Sequence, residues 1–99
     1  MIAVIFQFEV SAGAFDEYLG LAGELRAELE RIDGFLSVER FAALDDEKRY
    51  LSLSLWRDQD AVQRWREHSE HRAAQARGKN DLFSRYHILV SEVLRDYGK

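Results

Sequence analysis

The sequence predicts an α+β fold in which a four-stranded antiparallel sheet carries two helices on one of its faces. Three observations lead to this prediction. Four stretches are rich in β-branched and aromatic residues, two others repeat apolar residues at helical spacing, and their order along the chain is β-α-β-β-α-β. That order is the split βαβ arrangement of ferredoxin-like folds.

The first half of the chain supplies a strand and a long helix. Residues 1–10 form the strand, and its even-numbered positions are all large and apolar. After a break at residues 11–13, apolar residues recur every three or four positions over residues 14–32, which predicts an amphipathic helix. The helix is expected to end at Asp33-Gly34, because glycine tolerates the left-handed backbone conformation that is common just after a helix.

The second half repeats the pattern after a hairpin. Residues 35–44 and 48–56 are predicted strands joined by the charged turn at residues 45–47. Asp58 is the expected N-cap of the second helix, since its carboxylate can accept from free N–H groups of the first turn. This helix is expected to fade near Arg77 and Gly78. A turn at residues 79–81, a short helical piece at Leu82–Phe83 and a strand over residues 86–94 complete the fold.

Composition narrows the function classes. The 99 residues predict one domain over 1–99, and 46% apolar with 32% charged residues is typical of a globular chain. The net charge of −4 forms no basic stripe, which argues against nucleic acid or an anionic membrane as partner. Cysteine is absent, so disulfides and thiolate catalysis are excluded. Since no apolar run approaches ~20 residues, a soluble cytoplasmic protein is expected.

The two helices can cover only one face of the sheet. The apolar even positions of the first strand are assigned to the other face, namely Ile2, Val4, Phe6 and Phe8. An apolar patch of that size would favour aggregation of a monomer. A homodimer that packs sheet against sheet is therefore predicted.

Several of these segments carry a family resemblance. They are IDGFLSVERF after the first helix, the strand that ends at Trp56, and the W-x8-W-x5-H-x2-A spacing of Trp56, Trp65, His71 and Ala74. In these features the chain resembles the antibiotic biosynthesis monooxygenase (ABM) family over nearly its whole length. The resemblance implies a dimeric α+β barrel with a pocket between sheet and helices in each subunit. It also implies oxidation of phenolic rings by dioxygen, with no metal or flavin as cofactor.

Haem-degrading relatives of that family rely on an asparagine in the first strand, a tryptophan in the second main helix and a histidine ten residues later. The corresponding positions here are Gln7, Trp65 and Gln75. Glutamine ligates haem iron poorly, so the resemblance disfavours haem degradation.

The catalytic residues predicted from the sequence are Trp65, His71 and Gln7. Trp65 is expected to stack the aromatic substrate. His71 is expected to take the phenolic proton, because imidazole titrates near neutrality. Gln7 is a polar residue in an apolar strand and is expected to orient a ring oxygen. A surface imidazole and a core glutamine with ordinary hydrogen bonds are the alternatives.

Four more residues are expected to contact substrate, namely Trp56, Gln75, Tyr86 and Arg40. On the helix, Ala61, Val62, Trp65, Ser69 and Ala73 make the inward face, and His68 and Arg72 border it. His68 and His71 have the spacing of a metal-binding pair, but a site needs a third ligand that only His87 offers, so no metal is predicted. A second functional hypothesis is a dimeric ligand-binding or stress-related module that holds a metabolite without converting it.

Overall fold

The computed structural model describes residues 1–75 and 82–99, except for the side chains of residues 73–75. The elements follow the predicted order: β1 (Ile2–Val10), α1 (Phe15–Leu29), β2 (Phe35–Ala42), β3 (Arg49–Trp56), α2 (Gln59–Gln75) and β4 (Phe83–Glu92). The four strands form one antiparallel sheet in the order β2-β3-β1-β4. The predicted fold class is therefore confirmed. No helix in the described ranges is long and apolar enough to cross a membrane.

The start of β4 differs from the prediction. Phe83 is the first residue of this strand and pairs with Val10, and the Leu82 carbonyl accepts a hydrogen bond from the Ser11 N–H at 2.8 Å. The short helical piece predicted at Leu82–Phe83 is therefore wrong, because pairing with β1 fixes an extended backbone there. The predicted helix end near residues 77–78 and the turn at residues 79–81 lie outside the described residues.

One corner of the fold ties the turn after α1 to the start of α2. The Arg57 guanidinium donates to both carboxylate oxygens of Asp33, at 3.2 Å each, and the Arg57 N–H donates to the Gly34 carbonyl at 2.8 Å. Asp58 caps α2 as predicted, since its Oδ1 accepts from the Ala61 N–H at 2.9 Å. These contacts fix where α2 begins, and therefore where each of its side chains lies over the sheet.

The helix-covered face holds the core in two clusters. The strand register places the even positions of β1 on this face, beside the even positions of β3. The first cluster comprises Ile2, Leu29, Val38, Trp56 and Ala61. The second comprises Phe8, Val10, Tyr18 and Ala22.

The assignment of the even positions of β1 to the uncovered face was wrong. The Phe8 ring lies 5.1 Å from that of Tyr18 on α1, and Ile2 packs in the cluster that contains Leu29. The uncovered face is nevertheless apolar, because the register brings other side chains together there: Ile5, Phe41, Leu51, Leu53, Leu55 and Leu89. The error has a physical reason, since an alternating pattern separates two faces but does not say which one meets the helices.

Candidate active site

Two indoles meet on the helix-covered face, near the end of the sheet where β3 ends. The rings of Trp56 and Trp65 are stacked with centroids 6.3 Å apart. Trp56 is only 1% exposed, and its Nε1 donates to the Ser54 hydroxyl at 2.9 Å. This side chain, expected to contact substrate, is thus enclosed in the core, where it stacks with the half-buried Trp65. Trp65 packs against the first core cluster, while part of its surface remains accessible.

An imidazole stacks on the same indole. The His68 ring lies 5.5 Å from the Trp65 ring at an interplanar angle of 28°, and its Nε2 is 2.6 Å from Oε1 of Glu28. Arg72 forms an ion pair with the other oxygen of Glu28, with Nη1 at 2.8 Å from Oε2, and donates a hydrogen bond to Glu24. The His68 hydrogen bond, together with the Arg72 charge, holds the pKa of Glu28 below its ordinary value. A polar network between α1 and α2 therefore holds an imidazole against the indole.

The other histidine of α2 lies elsewhere. His71 is exposed, whereas Trp65, His68 and Arg72 are half-buried. The proton-accepting role expected for His71 stays a prediction, and the structure does not bring its side chain to Trp65. The helical spacing of His68 to Trp65 and Arg72 already pointed to one shared face. Glu28 had no such signal, because it comes from the other helix, forty residues away.

Gln7 does not join this group. It pairs with Leu51 and His87 across the sheet, and so lies on the uncovered face, opposite to Trp65. Its side chain is exposed. The β1 residue that faces the helices at this level is Phe6. The role of Gln7 as an orienting residue stays a prediction, and within one subunit the sheet separates it from the indole.

Arg40 and Tyr86 do lie on the helix side. Arg40 pairs with Ser52 in β3 and is half-buried. Burial raises the pKa of the Tyr18 phenol, and the nearby Arg40 charge offsets part of that shift. The Tyr86 ring lies 5.9 Å from that of Phe6.

The helices leave part of this face open. Along β4 the helix-side residues Tyr86, Ile88 and Val90 are 66%, 50% and 56% exposed. We call these three residues the β4 strip. It offers an apolar surface on the same side of the sheet as Trp65.

Two further expectations concern ligands. Gln75 was expected to contact substrate, and its side chain lies outside the described residues. Within residues 1–75 and 82–99, no group of three or more histidine, aspartate or glutamate side chains is placed to hold a metal ion. The two histidines considered for such a site have different surroundings, since His68 bonds Glu28 while His71 is exposed.

Comparison with known proteins assigns the family. The family model described as antibiotic biosynthesis monooxygenase matches residues 1–77. The chain belongs to the antibiotic biosynthesis monooxygenase family. A jasmonate monooxygenase ABM of Pyricularia oryzae is 41% identical over 93 residues, which cover 94% of this chain and 43% of that protein. The chain spans about half the length of the curated relatives it matches.

Solved structures of other proteins share the fold. The haem-degrading MhuD of Mycobacterium tuberculosis, with two haems in its active site, has a TM-score of 0.76 and 26% identity, covering 99% of this chain and 100% of MhuD. SnoaB of Streptomyces nogalater, a cofactor-independent oxygenase, has a TM-score of 0.79 and 17% identity, with 99% and 97% coverage. The second likeness shows the fold alone. Proteins with this architecture therefore include an oxygenase and a haem degrader.

Proposed function

We propose that this ABM protein is a monooxygenase that oxidises a small aromatic or phenolic molecule with dioxygen and without a metal or organic cofactor. The observation that carries the proposal is the stacked pair of Trp65 and His68, supported by Glu28 and lying on the side of the sheet where the β4 strip is open. An indole gives a planar substrate a large contact area, and an imidazole beside it supplies a proton acceptor.

The chemistry requires a substrate that becomes electron-rich when it loses a proton. A phenolate passes an electron to dioxygen far more readily than a phenol does. For a ring CH₂ activated by a neighbouring phenol, one oxygen atom forms the new carbonyl, and the other leaves as water with the two hydrogens. The Arg40 guanidinium, half-buried on the helix side, is a candidate to bind the anionic oxygen of the substrate.

A second substrate class has its own support. The relative from Pyricularia oryzae is named for jasmonate, a non-aromatic cyclic keto acid, and its 41% identity spans nearly the whole of this chain. An apolar ring with a carboxylate would also suit a face that offers apolar side chains together with Arg40. Jasmonic acid therefore belongs in the substrate panel beside polycyclic phenols and hydroquinones.

The test is oxygen uptake by the purified protein, with and without a chelator, over that panel. We expect uptake with at least one phenol, unaffected by the chelator. Trp65→Phe should lower kcat/KM about tenfold, because the smaller ring loses stacking area, which is roughly the loss of one aromatic contact. Gln63→Ala, on the outer side of α2, serves as the control and should retain full activity.

Other outcomes assign the protein differently. Thermal stabilisation by a phenol without oxygen uptake would favour the non-catalytic ligand-binding module. Loss of uptake in a folded His71→Ala variant would support the role predicted for that residue from the sequence. Unchanged uptake in His71→Ala would remove His71 from the mechanism.

Haem degradation is the weaker candidate, because the described histidines fit a haem iron poorly. The Nε2 of His68 already bonds Glu28, His71 is exposed, and His87 lies on the uncovered face. Titration with haemin should therefore leave the Soret band close to that of free haemin. A band typical of histidine-ligated haem would contradict this expectation.

We also propose that the protein is a homodimer joined through the uncovered sheet faces. Ile5 and the three leucines of β3 form an apolar row there, next to Phe41 at 48% and Leu89 at 44% exposure. Sheet-to-sheet packing by a second copy would remove this row from water.

A further inference from the structure

We infer that His68, oriented by Glu28, accepts the substrate proton in this protein, an inference that rests on the proposed oxygenase activity. The sequence pointed to His71 for this step. The structure instead gives His68 the two properties that a base needs: contact with the stacking indole and a carboxylate partner. This assignment makes Glu28 a positioning residue that acts through the imidazole.

The hydrogen-bond pattern sets the tautomer of His68. An ionised carboxylate can only accept hydrogen bonds, so the 2.6 Å contact with Glu28 requires the proton of the imidazole on Nε2. In the neutral ring Nδ1 is then the acceptor. Arg72 bonds the other oxygen of Glu28 at 2.8 Å, which keeps the carboxylate ionised and in place. A nucleophile or base oriented by a third group in this way is a recurring catalytic arrangement.

The step is a proton transfer. The O–H bond of a phenol that lies on Trp65 breaks, its electron pair stays on the phenolate oxygen, and the proton forms a bond to Nδ1 of His68. The new imidazolium is balanced by the negative charge of Glu28. The other charged groups of this network are Glu24 on α1 and Arg72 on α2, which neutralise each other. The network could alternatively serve only to join the two helices, and the experiments below separate these roles.

The first experiment reads proton transfer without turnover. Para-nitrophenol is titrated with the protein under anaerobic conditions, and the visible absorbance of its phenolate is followed at a pH below the pKa of the free phenol. We expect wild type to raise the ionised fraction several-fold and His68→Gln to abolish that increase. The inference is overturned if the ionised fraction shows no increase that depends on His68, either because the phenol does not bind or because its ionisation is unaffected. Since dioxygen is excluded, this result is independent of the proposed activity.

The second experiment uses the pH profile of oxygen uptake. Only a neutral imidazole accepts a proton, so kcat/KM should fall on the acid side, and His68→Gln should lose that limb together with about 100-fold in kcat/KM. Added imidazole should restore part of the activity. Glu28→Gln should lower kcat about tenfold and leave KM unchanged, because the amide no longer holds the imidazole in the orientation that accepts the proton.

The matched control is Glu67→Gln, because Glu67 accepts a comparable hydrogen bond from Gln63 at 3.2 Å on the exposed side of α2. It should behave as wild type. An acid limb that persists in folded His68→Gln and disappears in His71→Gln would overturn the inference and assign the proton to His71. Failure of every panel member to support uptake would reject the oxygenase proposal, while the anaerobic titration would still decide the role of His68.

Discussion

Gly34 is the residue at which backbone conformation and packing act together. Its φ is +96°, and an added Cβ would lie 2.5 Å from the Cβ of Ala61, which is fully buried at the start of α2. Gly34→Ala therefore strains the backbone and forces α2 to shift, which we expect to lower the free energy of unfolding by about 2–4 kcal/mol. Urea denaturation measures the loss.

Gly13→Ala is the matched control, since Gly13 has a φ of +76° but no atom within 4 Å of an added Cβ. The free energy of unfolding of Gly13→Ala should fall only by the cost of the backbone conformation, about 1 kcal/mol. Equal losses in the two variants would show that contact with Ala61 contributes nothing.

Glu28 makes the stability of the molecule depend on pH. The hydrogen bond from His68, followed by the charge of Arg72, lowers the pKa of Glu28 below its ordinary 4.5. Because the folded-state pKa is the lower one, ionised Glu28 stabilises the fold at neutral pH, and this contribution is lost as the pH falls through the folded-state pKa. Wild type should be more stable than Glu28→Gln at neutral pH, with a difference that shrinks below about pH 4.5. Denaturation curves from neutral to acid pH test this, and a constant difference would contradict it.

At the scale of helices and strands, the sequence predicted the features that depend on residues close to one another along the chain. The cap at Asp58 and the periodicity of α2 depend on neighbours within four residues, and both were confirmed. The face of β1 was misassigned because nearly all its positions up to Phe6 are apolar, so burial could not be read from the pattern. The start of β4 at Phe83 was missed because its pairing with Val10 joins residues 73 positions apart in the sequence.

The candidate site shows the same division. The inward position of Trp65 was predicted from the sequence because an aromatic residue at helical spacing with other apolar residues is a local signal. Choosing between His68 and His71 required Glu28, and nothing in the spacing along α2 places a residue of α1 beside either histidine. The place of Gln7 on the face opposite to Trp65 could not be predicted for a related reason, since it depends on which face of β1 meets the helices.

On the scale of the whole molecule, a single sheet with two helices on one side leaves its other face exposed to solvent. The uncovered face is apolar in its central strands, and β4 is exposed over most of its length on both sides. A chain of 99 residues gains from covering such a face, because small domains bury a smaller fraction of their surface than large ones.

The proposed dimer predicts what a charge on that face will do. Leu53 lies at its centre, paired with Ile5 and Glu39. In a sheet-to-sheet dimer, Leu53→Glu would bury an unpaired carboxylate at the interface, whereas in the separate subunit the same side chain would still reach water. Analytical ultracentrifugation should therefore show a dimer for wild type and a folded monomer for Leu53→Glu.

Leu19→Glu is the control, since it makes the same chemical change at a 51% exposed leucine of α1, on the helix side, and should remain dimeric. A wild type that stays monomeric at every concentration, or a Leu53→Glu variant that dimerises as wild type does, would show that the uncovered face is not the interface.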